Sequence, residues 1–208
     1  MAISSLSKLG VPLQGDQSAG NQGLLMPKLS YRFRVLFENL GVSKPTTELT
    51  KQVVTAGRPA VEFDDITLDV YNSRIHYAGK PKWNPISVVV RDDVTGAVSK
   101  LVGEQLQKQF DFFEQSSAAS GIDYKFTTKI ELLDGGNGAY EPAVLESWEL
   151  YGCYIQKSEY AGTDYAKSDA LTVTMNIVYD NAIQVNSAGT PAGVGAAVGR
   201  TVRTLATG

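Results

Sequence analysis

FDDITLDVYNSRIHYAGKPKWNPISVVVRDD, residues 63–93, is the stretch whose reading decides the fold. Ile66, Leu68 and Val70 alternate with Asp65, Thr67, Asp69 and Tyr71, a period of two that predicts a half-buried strand. Tyr71-Asn72-Ser73-Arg74 breaks the alternation, and Ile75 and Tyr77 lead into Ala78-Gly79-Lys80-Pro81, a turn by composition. Trp83 and Pro85 open a second run, Ile86 to Val90, which ends on Asp92-Asp93. The interruption from Tyr71 to Lys82 is longer than the roughly two to five residues of a tight hairpin loop, and Ile75 and Tyr77 need cover. The stretch therefore predicts an arm that reaches a neighbouring subunit instead of closing a tight hairpin. It reads as a self-assembly element, with no catalytic constellation in it.

Upstream, Leu29 to Phe37 is a strong strand, with Leu29, Tyr31, Phe33, Val35 and Phe37 on one face and Ser30, Arg32 and Arg34 on the other. Gly41 to Glu48 reads as a loop and Leu49 to Gly57 as a second strand, stopped by Gly57-Arg58-Pro59. Downstream, Thr95 stands where an N-cap belongs, with the charges of Asp92 and Asp93 suited to a helix N-terminus. Val98, Leu101, Val102, Leu106, Phe110 and Phe113 carry helical spacing to about Gln115. Thr127 to Leu133 and Val144 to Gln156 are strands, the second with Trp148, Leu150 and Tyr154 on one face. Ser158 to Asp169 is a polar loop, and Ala170 to Tyr179 is the last strand, with Leu171, Val173, Met175 and Ile177 alternating. The expected organisation is an N-terminal arm over 1–28, a folded domain over 29–182 and a flexible Gly/Ala-rich tail over 183–208. Both tails are expected to be mobile in a free subunit and partly ordered in an assembly, with Leu24 to Met26 as an apolar anchor. Strands that follow one another directly, with a single helix, give a mainly β protein: an antiparallel sandwich or barrel with one flanking α-helix. Its sheet edges need cover or a partner chain, which is a physical reason to expect oligomers.

The chemistry of an enzyme is hard to find in these 208 residues. The formal charge of −3 is too small to draw nucleic acid by attraction. Its distribution is uneven: residues 1–60 balance to +4 and residues 61–150 to −7, which would let copies attract head to tail. Cys153 is the only cysteine, so no internal disulfide forms. His76 is the only histidine, which rules out a two-histidine metal site within one chain, and no G-x-S-x-G elbow accompanies it. Ala78-Gly79-Lys80 ends like a phosphate loop, but Pro81 stands where Ser or Thr is needed. Asp64-Asp65 and Asp92-Asp93 read as a solvated face and a helix start. The expectation is no enzyme, no cofactor and no metal. No apolar run is long enough to span a bilayer, and no secretory signal is legible.

The central stretch resembles the tail tube proteins of contractile-tailed bacteriophages. The residues that carry the resemblance are Ile66 to Val70, the arm Asn72-Ser73-Arg74-Ile75-His76-Tyr77-Ala78-Gly79, the aromatic Trp83, and Ile86 to Val90 closing on Asp92-Asp93 before a helix. Trp148 to Gly152 and Leu171 to Asp180 are similar to the family's last two strands. The resemblance implies six copies per ring, inner sheets joined into one barrel around a channel, and rings stacked into a tube. That tube would be a conduit for DNA ejection, with Asn72, Arg74, Ile75, His76, Tyr77, Gly79 and Trp83 making intersubunit contacts. The implied partners are further copies of the chain, a tail sheath protein, a baseplate or tube initiator, a tail terminator, and a tape measure protein held in the lumen before ejection. DNA would pass without specific binding. The place would be the virion, after assembly in the host cytoplasm. The alternative is the tube of a related injection machine of secretion-system or bacteriocin type; a carbohydrate-binding sandwich would instead need an exposed aromatic cluster in a concave site. If Ile66, Leu68 and Val70 lie in the core, then Asp65, Thr67 and Asp69 face the other way and line the channel, with Glu149 as a further lumen residue.

Overall fold

In a computed structural model, which describes residues 27–43, 46–136 and 142–196, the chain begins its first strand, β1, at Phe33–Glu38. Leu29 and Tyr31 lie outside it. Val35 and Phe37 are buried, as their alternation requires. The expected second strand is split. Thr47–Gln52 is a short helix, α1, and only Val53–Ala56 is extended, as β2. Leu49 is fully buried and reaches the core from within this helix.

Next come β3 at Ala60–Val70 and β4 at Ser73–Asn84, then β5 at Ile86–Arg91. Helix α2 covers Ala97–Gln109. Gly96, not Thr95, holds the cap position in a left-handed conformation, φ 67°. The acidic pair does serve this end: Asp93 accepts from the Ala97 N–H at 2.9 Å, and Asp92 accepts from the Ser99 hydroxyl at 2.5 Å. Val98, Leu101 and Val102 face the core as expected, but the helix stops before Phe110. Asp111 accepts from Gln107 and from the N–H groups of Phe113 and Glu114, building a turn that competes with another helical turn. That turn joins two short strands, β6 (Phe110–Asp111) and β7 (Ser116–Ser117), and leaves Phe113 exposed. The chain ends with β8 (Phe126–Leu133), β9 (Val144–Tyr160), β10 (Thr172–Val178) and β11 (Asn181–Asn186). The folded part thus runs past residue 182, and β9 runs into what reads as a loop.

A seven-stranded antiparallel sheet orders these as β1-β8-β9-β10-β5-β2, with β11 also on β9. Strand β9 belongs to two faces. Its first half pairs with β8 and β11, and its second half with β10. The change falls at Gly152, φ 68°, where one extra residue on β9 shifts the register with β8. Buried positions accordingly step from Trp148 and Leu150 to Cys153 and Ile155. A Cβ at Gly152 would lie 2.2 Å from Asp180 Oδ2, so glycine is required both by the angle and by the contact. The sheet closes on a core of Val35, Phe37, Ile130 and Leu150 from one side and Ile86, Val88, Val90, Val173, Met175 and Ile177 from the other. Each contributes about 1.5–3 kcal/mol when fully buried. The helix α2 covers the end where β1 stops and β8 begins. Its buried Gln105 receives the Gly41 N–H at 3.0 Å and donates to the Tyr124 carbonyl at 2.6 Å.

Free edges are few. Beyond β11, Gln184 and Asn186 exchange backbone hydrogen bonds with residues 190–194, which covers that edge. Strands β1 and β2 are the outer strands of the sheet. An open cleft of about 730 Å³ runs between them, lined by Tyr31, Phe33, Val53, Ala56, Ile130 and Leu132 among others. The expected N-terminal arm lies outside the described residues except for its last two, whereas the expected flexible tail over 183–208 is described as far as residue 196 and begins inside β11.

Candidate assembly site

Strands β3 and β4 pair only with each other. They continue β2 and β5, which pair in the main sheet, so residues 53–91 form one long ribbon interrupted at Gly57–Pro59 and at Pro85. At about 3.3 Å per residue the distal part extends some 35 Å from the body. The turn at its tip is tight: Val70 pairs with Ser73 across Tyr71-Asn72, with Tyr71 at φ 47°. The arm therefore does close a short hairpin, contrary to the sequence expectation. The reversal sits at Tyr-Asn, whereas the turn-like Ala78 to Pro81 is strand. Gly79 is there because the strands approach closely at a bulge: a Cβ on it would meet the Asp64 carbonyl at 2.9 Å.

The alternation of β3 is real, but its apolar side does not enter the core. Ile66, Leu68 and Val70 are each about half exposed, at 50%, 50% and 49%. Among the described residues no layer lies over them, so the half-buried pattern is written on a strand whose apolar side the described part of the chain leaves open. The register places Ile66, Leu68 and Val70 on one face with Ile75 and Tyr77, both exposed. The other face carries Asp65, Thr67, Asp69, Arg74 and His76. Two cross-strand pairs order it: Asp65 Oδ2 to His76 Nδ1 at 2.9 Å, and Arg74 Nε donating to Asp69 at 2.7 Å. The polar face is thus mixed in charge and not simply acidic. Trp83 belongs to the root of the ribbon, its ring 5.6 Å from that of Tyr179.

Glu149 is not brought to this face. It lies on the outer side of the first half of β9, paired with Lys129 at 2.8 Å and accepting from the Tyr151 hydroxyl at 2.5 Å. Those two bonds hold its carboxyl below the usual range, and the carboxylate in turn raises Lys129. Next to it on the same face, Arg34 pairs with Glu131.

The root of the ribbon holds residues that sequence reasoning missed. Glu146, 5% exposed, accepts from Lys28, from Arg58 at 2.7 Å, from Trp148 Nε1 at 2.8 Å and from Gln184 at 3.0 Å. Burial pushes its carboxyl up, but the bonds from Lys28 and Trp148 and the charge of Arg58 outweigh that and hold it low. No local signal marks it, since Lys28 and Arg58 lie 118 and 88 residues away.

Nucleophile chemistry finds little support. Cys153 is buried, and burial pushes its thiol up to about 11. Among the described residues no group of three or more His, Cys, Asp or Glu is placed to hold a metal. No described helix is long and apolar enough to cross a membrane.

The split sheet wrapped on a shared long strand, with α2 over one end and a projecting ribbon, is a fold also seen in solved structures of contractile injection systems. A chain in the tube-terminating cap of the anti-feeding prophage superposes with a TM-score of 0.58 at 15% identity, over 82% of this chain and 98% of that one. A chain in the six-fold symmetrised baseplate of the same prophage gives 0.57 at 13% identity, over 79% and 99%. One in the extended sheath–tube complex of an extracellular contractile injection system, PVC, gives 0.52 at 15%, over 77% and 92%. At these identities the likeness is one of fold. No family model matches the sequence, and no curated protein matches it.

Proposed function

We propose that this protein is a structural subunit, not an enzyme, that assembles into rings stacked as the inner tube of a contractile tail. The observation that carries the reading is the ribbon at residues 60–84. It spends backbone order and exposes five large apolar side chains on one face, a cost that a lone domain has no reason to bear. On a neighbouring copy, the same face and the ribbon's free edges gain burial and hydrogen bonds. Of the arm residues, Ile75 and Tyr77 on the apolar face, with Asn72 at the tip and Gly79, then act at the subunit interface, while Arg74 and His76 pair with Asp69 and Asp65 on the opposite face and Trp83 seats the root on its own body.

The fold shared with cap, baseplate and sheath–tube structures supports a place in such a machine, with sheath and terminator proteins as partners. Six copies per ring, DNA as cargo, a tape measure protein in the lumen and assembly in the host cytoplasm follow from the resemblance to phage tail tubes. A tube of a secretion or bacteriocin machine is equally compatible with the fold. In either case Asp65, Thr67 and Asp69 are proposed to line the lumen, as a polar wall whose paired charges do not hold a polyanion. Glu149, on another face, is the weaker lumen candidate.

Excising residues 62–82 and joining the stumps through Asn-Gly tests the reading. The shortened chain is expected to fold and sediment as a monomer under conditions where the full chain forms large particles. Large particles from the shortened chain would overturn it.

A further inference from the structure

We propose that Glu146 is a positioning residue that sets the direction in which the ribbon leaves the body and ties that direction to the chain's N-terminal segment. The inference rests on the ribbon's role in assembly proposed above. The ribbon is attached to the body at two points. On the β4 side, the Trp83 ring packs against Tyr179. On the β3 side, the Gly57 N–H donates to the Ser87 carbonyl at 2.9 Å, and from Arg58 onward the chain leaves the sheet. Pro59 follows, and β3 begins at Ala60. Arg58 is thus the last polar side chain before the projecting strand, and its guanidinium ends on Glu146.

The carboxylate is nearly closed to solvent, whereas both cations that reach it are about half exposed. A buried charge is costly and contributes little net stability over an apolar residue of similar volume, so its use points to geometry. Here one carboxylate holds Lys28, just before β1, and Arg58, at the ribbon's root, and is itself fixed by Trp148 on its own strand and Gln184 on β11. Lys28 holds one oxygen of the carboxylate, Oε2, and Arg58 the other, Oε1, so a shift of the segment at Lys28 acts on the group that holds Arg58. A lever of about 35 Å turns a small angular error at its root into a large displacement at its tip. Docking onto a neighbour pays for any such freedom on assembly.

The test is the distance between spin labels at the ribbon tip, Asn72→Cys, and on the body, Glu159→Cys, in the dispersed full-length subunit. Cys153 is buried and stays unlabelled. The parent is expected to give one narrow distance peak. Glu146→Gln and Arg58→Gln should each lose that peak to a broad distribution, while Arg34→Gln, which cuts the pair with Glu131 elsewhere, should keep it. Arg58 is exposed enough that its replacement leaves the core intact, so the test stands even where Glu146→Gln folds poorly. Both variants should also need about tenfold more protein for half-assembly. A narrow peak in Arg58→Gln, or a broad one in the parent, would overturn the proposal. A parent that never assembles but shows these peak changes would instead remove the tube reading and leave the positioning role of Glu146 in place.

Discussion

At the scale of single residues, this molecule uses charge mainly to fix backbone. Glu104 on α2 accepts from the Ser43 hydroxyl and from the N–H groups of Ser43 and Val42, which draws its carboxyl down from 4.5 to about 2. A carboxyl held low in the fold contributes stability above its unfolded pKa and loses it as pH falls through the folded value. Glu104→Gln should therefore cost about 1–2 kcal/mol at neutral pH. Urea titrations of the two proteins should converge as pH falls from about 4.5 towards 2, and a gap that stays constant over that window would contradict the assignment. The polar face of the ribbon follows a related logic, with Asp65 and Asp69 each satisfied by a partner across the strands. Replacing both by lysine turns a face of two acids and one arginine into one of three cations, which a polyanion would neutralise. Particles carrying this double variant should assemble and eject DNA slowly, more so at low salt, where screening is weaker. Ejection at the parental rate in low salt would exclude these residues from the lumen.

Among elements, the ribbon matters most. Burying its five half-exposed apolar side chains on a neighbour offers on the order of 1 kcal/mol each. Tyr77→Ala should thus lower assembly, read by sedimentation, while leaving the thermal midpoint of the dispersed subunit nearly unchanged. Equal losses in both would place Tyr77 in the subunit's own fold. The ribbon also marks what the sequence could and could not disclose. The alternation of Ile66, Leu68 and Val70 announced a strand with a buried side, and that much is intrinsic to the pattern. Where the side is buried is not local information, and the body of the same chain was the wrong choice. The turn was misplaced because Ala78 to Pro81 has turn composition while Tyr71-Asn72 has little, and only cross-strand register decides between them. Leu49 reads as part of one strand with Val53 to Ala56, but the chain is helical up to Gln52 and becomes extended only at Val53. Glu146, Lys28 and Arg58 meet only in three dimensions, so no window of sequence contains the site. By contrast, β1, β5, β8 and β10 were legible because each buries alternate residues against the chain's own core.

For the whole molecule, the feature that carries most meaning is the long ribbon, whose two strands pair only with each other among the described residues. Among the described residues the domain is closed on one edge by residues 190–194, held at one end by α2, and left open at the ribbon and at the cleft between β1 and β2. In the proposed assembly the ribbon of one copy seats on a different surface of the next, a heterologous contact that generates rings or open helical assemblies and not closed two-fold dimers. Negative-stain electron microscopy of the purified full-length chain, across salt and concentration, tests this most directly. The expected result is rings with a central channel, stacking into hollow tubes as concentration rises; particles that remain monomers or two-fold dimers under every condition would contradict a tube-forming subunit.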